Sequence, residues 1–263
     1  MTTTRVRPCG EAALLLECAD LAAAVGWAEE IGAARLGAVD VVAAARTVLV
    51  TARGAADLPR LRRALEALLA AGPTARSEPG TEAGSGAGAD AGADDAAGTV
   101  TLDVRYDGPD LVDVAELAGV SVEAFVRMHT SITWKAAFGG FAPGFFYLVD
   151  ARELDTGGLD AGADAGPGPM PTVPRLDSPR PKVPAGSVAV ADRFCAVYPG
   201  ASPGGWRLLG TTDARLWDID RPQPALLAPG THVRFRDISA DGAGSTGSTD
   251  TGSADTGSAG GAR

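Results

Sequence analysis

The sequence has little of the side-chain chemistry that builds metal sites and disulfide frameworks. Its 263 residues include three cysteines and two histidines, and the cysteines form no CxxC pair. An odd number of cysteines without that spacing favours neither a disulfide framework nor a zinc site. We therefore expect no metal site, and we expect Cys9, Cys18 and Cys195 to be buried, reduced thiols.

Long apolar runs are absent as well. No stretch of 18 or more apolar residues occurs, and residues 1–20 lack the basic, apolar and cleavage-site order of a secretory signal. Hydrophobic residues nevertheless make up 45% of the chain, which is enough to bury a core. These features predict a soluble, globular, cytoplasmic protein.

The formal charge of −10 comes from three low-complexity segments rather than from a binding surface. Segment 77–98 has five acidic residues and no basic one, segment 153–169 has four and none, and segment 239–263 has three Asp and one Arg. Tracts of Gly, Ala, Ser and Asp bury too little apolar area to offset the entropy of ordering them. We expect a disordered acidic linker, a loop insertion and a disordered tail, respectively.

Residues 1–76 combine helical and strand patterns. Asp20 is a suitable N-cap for one helix, and a second helix is predicted from Asp57 to Ala71 because its leucines recur at helical spacing. Short apolar and β-branched stretches around these helices predict strands, including one antiparallel pair. Two helices on one face of a small antiparallel sheet predict a ferredoxin-like domain.

Residues 99–238 change from helical to strand patterns. Two short helices are predicted at Asp110–Ala118 and Ser121–His129, and short apolar segments separated by Pro and Gly turns follow them. Several closely spaced strands with no helix between them predict an antiparallel sandwich or barrel. The fold class expected for the whole chain is therefore α+β.

The two short helices are similar in pattern to the helix-turn-helix of DNA-binding repressors. A recognition helix needs Lys and Arg to neutralise phosphates, whereas residues 110–129 contain four acids and a single full cation, Arg127. Nucleic-acid binding is therefore not expected. The helices are interpreted as a cover over one opening of the barrel.

Four motifs of the second half occur in a fixed order along the chain. They are GFAPGFFYL (140–148), PRLDSPRPKVPAGSVAV (174–190), VYPGASPGGWRLLGTT (197–212) and PGTHVRF (229–235). Together with RPCGEAALLLE near the N-terminus, they resemble the family of the B-type 5-oxoprolinase subunits, also described as KipI-like or allophanate hydrolase subunit 1.

This resemblance implies an N-terminal ferredoxin-like domain and a C-terminal cyclophilin-like antiparallel β-barrel. It also implies a non-autonomous enzyme subunit that works with a homologous C-type subunit and a third subunit. In that complex, ATP hydrolysis drives the opening of 5-oxo-L-proline to L-glutamate. ATP is expected in the complex, although this chain has no Walker A sequence.

Two other functions stay open within the same resemblance. A KipI-like protein would bind and inhibit a sensor histidine kinase. A carboxyltransferase-like or allophanate hydrolase-related subunit would act in urea degradation. The chain also departs from the family pattern at Asp192–Cys195, where polar turn residues are usual, and at the insertion 153–169.

Three cations in the second motif are candidate ligand-binding residues. Arg175, Arg180 and Lys182 lie within eight residues, beside prolines that fix the backbone. Arginine forks suit a carboxylate or a phosphate, and Arg180 is the first choice and a candidate catalytic residue. A solvated basic loop or an interdomain ion pair is the alternative.

Aromatic residues and turn residues are candidates for the walls of a substrate cleft. The set comprises Phe141, Pro143, Gly144, Phe145, Gly204, Gly205 and Trp206. Glycine lets a ligand approach the backbone closely, and aromatic rings supply apolar surface. Packing at barrel corners is the alternative.

His129 is the candidate general acid or base, because it is one of two histidines and ends a predicted helix. A favourable interaction with the helix dipole is its alternative role. Ser187 lies in AGSV, without the G-x-S-x-G spacing of a nucleophile elbow. It is a candidate for substrate binding, with turn capping as the alternative.

Overall fold

The computed structural model describes residues 4–72, 98–155 and 170–239. Nearly all of the expected linker 77–98, most of the insertion 153–169 and the tail from residue 240 lie outside the described residues. The described part is a mixed α+β fold with a nearly closed β-barrel.

Four strands and two helices form the N-terminal unit. In chain order they are β1 (Arg5–Cys9), β2 (Ala13–Glu17), α1 (Leu21–Ala34), β3 (Asp40–Ala43), β4 (Thr47–Thr51) and α2 (Leu58–Ala71). The sheet has the order β1-β2-β4-β3, and every neighbouring pair is antiparallel. Strands β2 and β3 are therefore parallel to each other, joined through α1, with β4 between them.

Local signals explain where these helices begin and end. The Asp20 carboxylate accepts a hydrogen bond from the Ala23 amide at 2.8 Å, as its predicted N-cap role requires. Helix α1 ends at Ala34 because Arg35 adopts a left-handed conformation. Helix α2 ends at Ala71 as predicted, and its Leu61 and Leu65 are buried against the sheet.

Within the described residues, the second unit contains nine strands and three short helices. They are β5 (Thr99–Val104), α3 (Leu111–Leu117), α4 (Val122–Ser131), β6 (Trp134–Gly139), β7 (Phe146–Asp150), α5 (Ala151–Asp155), β8 (Arg180–Val183), β9 (Ser187–Ala191), β10 (Phe194–Val197), β11 (Ser202–Gly204), β12 (Arg207–Thr211) and β13 (His232–Asp237). Seven strands form one sheet in the order β12-β9-β10-β7-β6-β13-β5. Strands β8 and β11 form a separate pair.

The barrel nearly closes at its two edge strands, β5 and β12. Just beyond β5, Arg105 and Thr211 exchange two backbone hydrogen bonds of 2.9 Å. The sheet was predicted to be antiparallel. One pair departs from that prediction, because β13 runs parallel to β5. That pairing is possible because the whole segment between β5 and β13 returns the chain to the same edge.

Helices α3 and α4 cover the barrel, as the sequence interpretation proposed. Helix α4 packs on β13, and its Phe125, Val126 and His129 are buried in the barrel core. The apolar face of α4 is therefore used in packing on the barrel. A buried apolar cluster also joins the two units, with Leu21 and Val25 of α1 against Phe138 and Val149.

The three cysteines differ in burial. Cys18 and Cys195 are buried, but Cys9 is exposed, so the expectation of a buried thiol is wrong for Cys9. Cys9 ends the edge strand β1, most of whose residues face solvent.

Within the described ranges, no helix is long and apolar enough to cross a membrane.

We expect Gly210→Ala to destabilise the barrel. A Cβ at this position would lie 2.0 Å from the Arg105 carbonyl oxygen, so the closing strands would have to separate. The loss in the free energy of unfolding should be about 2 kcal/mol, measured by urea denaturation. Gly26→Ala in α1 is the control, because its Cβ would meet no atom within 4 Å and alanine favours helix by about 0.5–1 kcal/mol. Equal losses in both variants would contradict this account.

Candidate functional site

A buried carboxylate anchors the predicted site. Asp110, just before α3, is 4% exposed, and its Oδ1 accepts a hydrogen bond of 2.7 Å from Arg180 Nη2. Its Oδ2 accepts a second bond of 2.6 Å from the Leu208 amide. Arg180 also donates from Nη1 to the Trp206 carbonyl at 3.4 Å. Asp110 therefore holds the start of β8 and the start of β12 together.

Aromatic rings pack next to this anchor. Phe145 contacts Trp206 edge-on with ring centroids 5.6 Å apart, and Tyr198 edge-on at 5.3 Å. Phe141 extends the cluster outward, since it contacts Phe145 at 5.2 Å and is itself 62% exposed. Edge-to-face pairs of this kind stabilise a fixed arrangement of rings. The cluster therefore presents one exposed ring on a rigid aromatic base.

Two exposed cations, Arg175 and Lys182, flank Arg180 in the sequence. The Arg175 guanidinium stacks over the Trp206 ring, with Cζ 5.8 Å from the centroid, and Arg175 is exposed. Lys182 is exposed two residues after Arg180 on β8, which places both side chains on one face of the strand. We call the exposed surface formed by Phe141, Arg175 and Lys182 the aromatic–cationic face.

Tyr198 links the rings to the cations. Burial raises the pKa of the Tyr198 phenol, and the charge of the nearby Arg175 opposes that rise. A Cβ on Gly204 would lie 2.3 Å from the Tyr198 hydroxyl, so glycine is required for this close contact. Tyr198 lies within the third motif, but it was not among the site residues predicted from the sequence. The adjacent turn glycines were the signal that pointed to it.

The predicted turn residues have mixed roles. Gly144 has φ +80° and packs against the 216–217 backbone, where an added Cβ would lie 2.9 Å from Trp217 Cβ. Gly205 accepts a backbone hydrogen bond from Leu176 at 2.8 Å, which fixes the segment that carries Arg175. Pro143 is exposed beside Phe141. These residues shape the turns, as the packing alternative proposed.

The structure keeps His129 away from the aromatic–cationic face. The ring is fully buried, its Nδ1 lies 2.8 Å from the Tyr106 hydroxyl, and its Nε2 lies 3.4 Å from Cys195 Sγ. Burial lowers the pKa of His129 to about 3 and raises the pKa values of Tyr106 and Cys195. All three groups are therefore neutral near pH 7. A general acid–base role for His129 is corrected to core packing, because a buried ring cannot reach a ligand.

Ser187 and Arg180 also require correction. Ser187 is 2% exposed at the start of β9, where its backbone pairs with Tyr198, so it lies inside the barrel wall. Arg180 is engaged by Asp110 and Trp206, so its guanidinium holds the site together rather than facing a ligand. Arg180 is a positioning residue. Its ion pair with Asp110 lies within the second unit, whereas the alternative stated for it was a pair between domains.

Two cavities lie away from this face. One of about 420 Å³ lies between α1, β3 and the barrel strands β6 and β7, and one of about 280 Å³ lies where the barrel nearly closes. None of the site residues predicted from the sequence lines either cavity. Across the described residues, no group of three or more His, Cys, Asp or Glu side chains is placed to hold a metal ion.

We expect Asp110→Asn to reduce stability by about 2 kcal/mol, because it removes the charge partner of a half-buried guanidinium. The measurement is the free energy of unfolding in urea. Asp113→Asn is the matched control, since Asp113 is largely exposed and pairs with Arg207 at 3.3 Å. Its loss should stay below about 1 kcal/mol. A similar cost for both variants would exclude a special role for Asp110.

We expect His129 to make stability depend on pH. The unfolded chain binds a proton near pH 6.5 and the folded chain near pH 3, so the free energy of unfolding falls as pH drops through this range. Between pH 7 and pH 5, wild type should lose about 2 kcal/mol more than His129→Gln. Urea denaturation at a series of pH values checks this. Identical pH slopes would show that His129 is not the source.

Known proteins match this chain at several levels. The family model described as carboxyltransferase domain, subdomain C and D, matches residues 4–227. The B-type subunit of 5-oxoprolinase from Escherichia coli O157:H7 is 43% identical over 129 residues, which cover 49% of this chain and 51% of that protein. The protein of the same name from Bacillus subtilis is 39% identical over 132 residues, with 50% and 48% coverage. The chain thus spans about half the length of the curated relatives it matches.

Solved structures share the fold. The protein TTHA0988 is 30% identical with a TM-score of 0.59, over 89% of this chain and 40% of that one. The Kluyveromyces lactis urea carboxylase has the same TM-score at 14% identity, over 90% of this chain and 22% of that one, which supports the fold alone. Because the family model covers most of the sequence, the chain belongs to the carboxyltransferase domain, subdomain C and D, family.

Proposed function

We propose that this chain is a B-type subunit of an ATP-dependent 5-oxoprolinase that converts 5-oxo-L-proline to L-glutamate. The observation that carries the proposal is the 38–43% identity to the B-type 5-oxoprolinase subunits of three bacteria over about half of the chain. The relatives' name describes one component of an enzyme, so activity is assigned to a complex rather than to this chain alone.

The aromatic–cationic face supports this substrate class. The substrate 5-oxo-L-proline is a small apolar ring that carries one carboxylate. Exposed Phe141 offers a surface for the ring, and the Arg175 guanidinium offers a fork that suits the carboxylate. Trp206 and Tyr198 hold these two groups at fixed positions, which lowers the entropic cost of binding.

The reaction explains the need for ATP. A lactam is a poor electrophile, and transfer of the γ-phosphoryl group to its carbonyl oxygen, with ADP leaving, gives an activated ring carbon. Water then adds to that carbon and the carbon–nitrogen bond breaks, which gives an acyl phosphate of the opened chain. A second water hydrolyses this acyl phosphate, so that phosphate leaves and L-glutamate is formed. In this proposal ATP is bound in the complex, and the partners are a homologous C-type subunit and a third subunit. The complex is placed in the cytoplasm.

The proposal extends to the architecture of the two units. We assign a ferredoxin-like domain to residues 1–76 and a cyclophilin-like barrel to residues 99–238, with 77–98 as the linker. The sheet order β1-β2-β4-β3, with α1 joining two parallel strands around β4, is the split βαβ arrangement of ferredoxin-like domains in circularly permuted chain order. The seven-stranded sheet supports the second assignment.

A carboxyltransferase role in urea degradation is the second candidate. The description of the matching family model favours it, because it names a carboxyltransferase domain over residues 4–227. Its support is weaker than that for 5-oxoprolinase, since the urea carboxylase likeness lies at 14% identity. The two candidates predict different substrates for the same face. Activity assays with each substrate therefore separate them.

The test is ATP-dependent release of L-glutamate from 5-oxo-L-proline, measured with this chain alone and with its co-purified C-type and third subunits. We expect activity in the complete mixture and none with the chain alone. Arg175→Gln should raise the KM for 5-oxo-L-proline about tenfold, because one charge-assisted contact is lost. Arg5→Gln, an exposed charge change on β1, should leave KM within about twofold.

The proposal fails if a verified, intact complex releases no glutamate. Biotin- and urea-dependent carboxyl transfer by the same complex would then favour the second candidate. Tight binding of the chain to the dimerisation domain of a sensor histidine kinase, with no enzymatic activity, would favour the inhibitor role that the sequence left open.

A further inference from the structure

A polar cavity of about 280 Å³ lies where the barrel nearly closes, beside the Arg105–Thr211 backbone pair. Three arginines contribute to its lining, Arg105 from the end of β5 and Arg215 and Arg221 from the segment after β12. Outside its low-complexity segments the chain is close to neutral, so three guanidiniums around one cavity are a local concentration of positive charge. The cavity lies apart from the aromatic–cationic face, because no residue of that face lines it.

Two of the three guanidiniums, those of Arg215 and Arg221, have partners that leave donors available. Arg215 Nη1 donates to Asp218 at 3.0 Å, and Arg221 Nη1 donates to the Arg215 carbonyl at 3.0 Å. Arg221 Nε lies 3.7 Å from the same Asp218 carboxylate, too far for a hydrogen bond. Each guanidinium has five N–H donors, so these contacts use a minority of them. The arginines are therefore oriented but not saturated.

Two acids, Asp103 and Asp213, line the cavity together with the three arginines, and Asp218 pairs with Arg215 outside the lining. Asp103 is engaged by Arg236, which donates to both carboxylate oxygens at 2.6 and 2.7 Å. Asp213 is 91% exposed at its side chain and lies 3.6 Å from Arg105 Nη1, beyond ordinary hydrogen-bond length. A loose, exposed pair of this kind contributes little. An incoming anion can therefore replace the Asp213 contact at small cost.

The cavity also offers a hydroxyl donor. Thr212 is 7% exposed, and its Oγ1 accepts a hydrogen bond from the Ala214 amide at 3.3 Å. The hydroxyl hydrogen is not used in that bond and is free to donate into the cavity it lines. A fixed hydroxyl together with guanidinium forks is the donor set that a tetrahedral or planar oxyanion requires.

We propose that this cavity binds the oxyanion of a small ligand, a phosphate or a carboxylate, through Arg105, Arg215 and Thr212, with Arg221 as a positioning residue. Arg105 and Arg215 supply charge-assisted hydrogen bonds from separate segments of the chain, and Arg221 holds the Arg215 backbone. The site is separate from the surface proposed for 5-oxo-L-proline. It does not depend on the 5-oxoprolinase assignment, because binding is measured on the chain alone.

The test is calorimetric titration of the full chain with inorganic phosphate and, separately, with acetate, each at an ionic strength matched with chloride. We expect one saturable site. Saturation by phosphate identifies a phosphoryl ligand, and saturation by acetate alone identifies a carboxylate ligand. Absence of saturation by both anions overturns the proposal, whatever the outcome of the glutamate assay.

Variants locate the binding. Arg105→Gln and Arg215→Gln should each weaken the saturating anion at least about fivefold, because each removes a charged donor. Arg234→Gln is the matched control, since Arg234 is exposed on β13 and does not line the cavity. It should change affinity less than about twofold. An equal loss in the control would mean general charge attraction and would reject the site.

A second measurement uses the wild-type chain and so does not depend on how the variants fold. Phenylglyoxal modifies accessible arginines, and mass spectrometry maps the modified positions. Saturating anion should protect Arg105 and Arg215 at least about threefold and leave Arg234 unprotected. Equal modification of Arg105 and Arg215 with and without the anion contradicts the proposal.

Discussion

The buried Asp110 carboxylate is the constraint on which the second unit depends. A charge removed from water must find donors, and Asp110 finds two, the Arg180 guanidinium and the Leu208 amide. These partners belong to β8 and β12, and both are far from Asp110 in the sequence. Helix α3, strand β8 and strand β12 are therefore held in one relative position. Another arrangement would leave the Asp110 carboxylate unpaired.

The aromatic–cationic face follows from that constraint. Arg180 also donates to the Trp206 carbonyl, so the anchor and the indole are positioned together. Trp206 in turn contacts both the Phe145 ring and the Arg175 guanidinium. The exposed groups are carried by a base that is already packed. Residues that hold the site therefore differ from residues that can contact a ligand, and Phe141, Arg175 and Lys182 belong to the second class.

The N-terminal unit was largely predictable because its signals are local. The Asp20 cap and the leucine spacing of α2 each act within a few residues, and the structure has them at the predicted places. The barrel was predictable as a pattern of short strands. Its order was not, and the parallel β5–β13 pair joins segments more than 100 residues apart. Periodicity carries no information on such pairing.

The sequence by itself determined the α+β class, the helix positions and the set of aromatic and cationic residues near the site. The contacts and the burial of each polar residue, in contrast, depend on the tertiary structure. Arg180 and His129 are both polar residues in helix or turn contexts, yet one meets a buried carboxylate and the other a phenol and a thiol inside the core. The convergence of Arg105 with Arg215 on one cavity arises in the same way. The physical reason is that burial and charge pairing depend on neighbours brought together by the closing sheet, which local sequence does not specify.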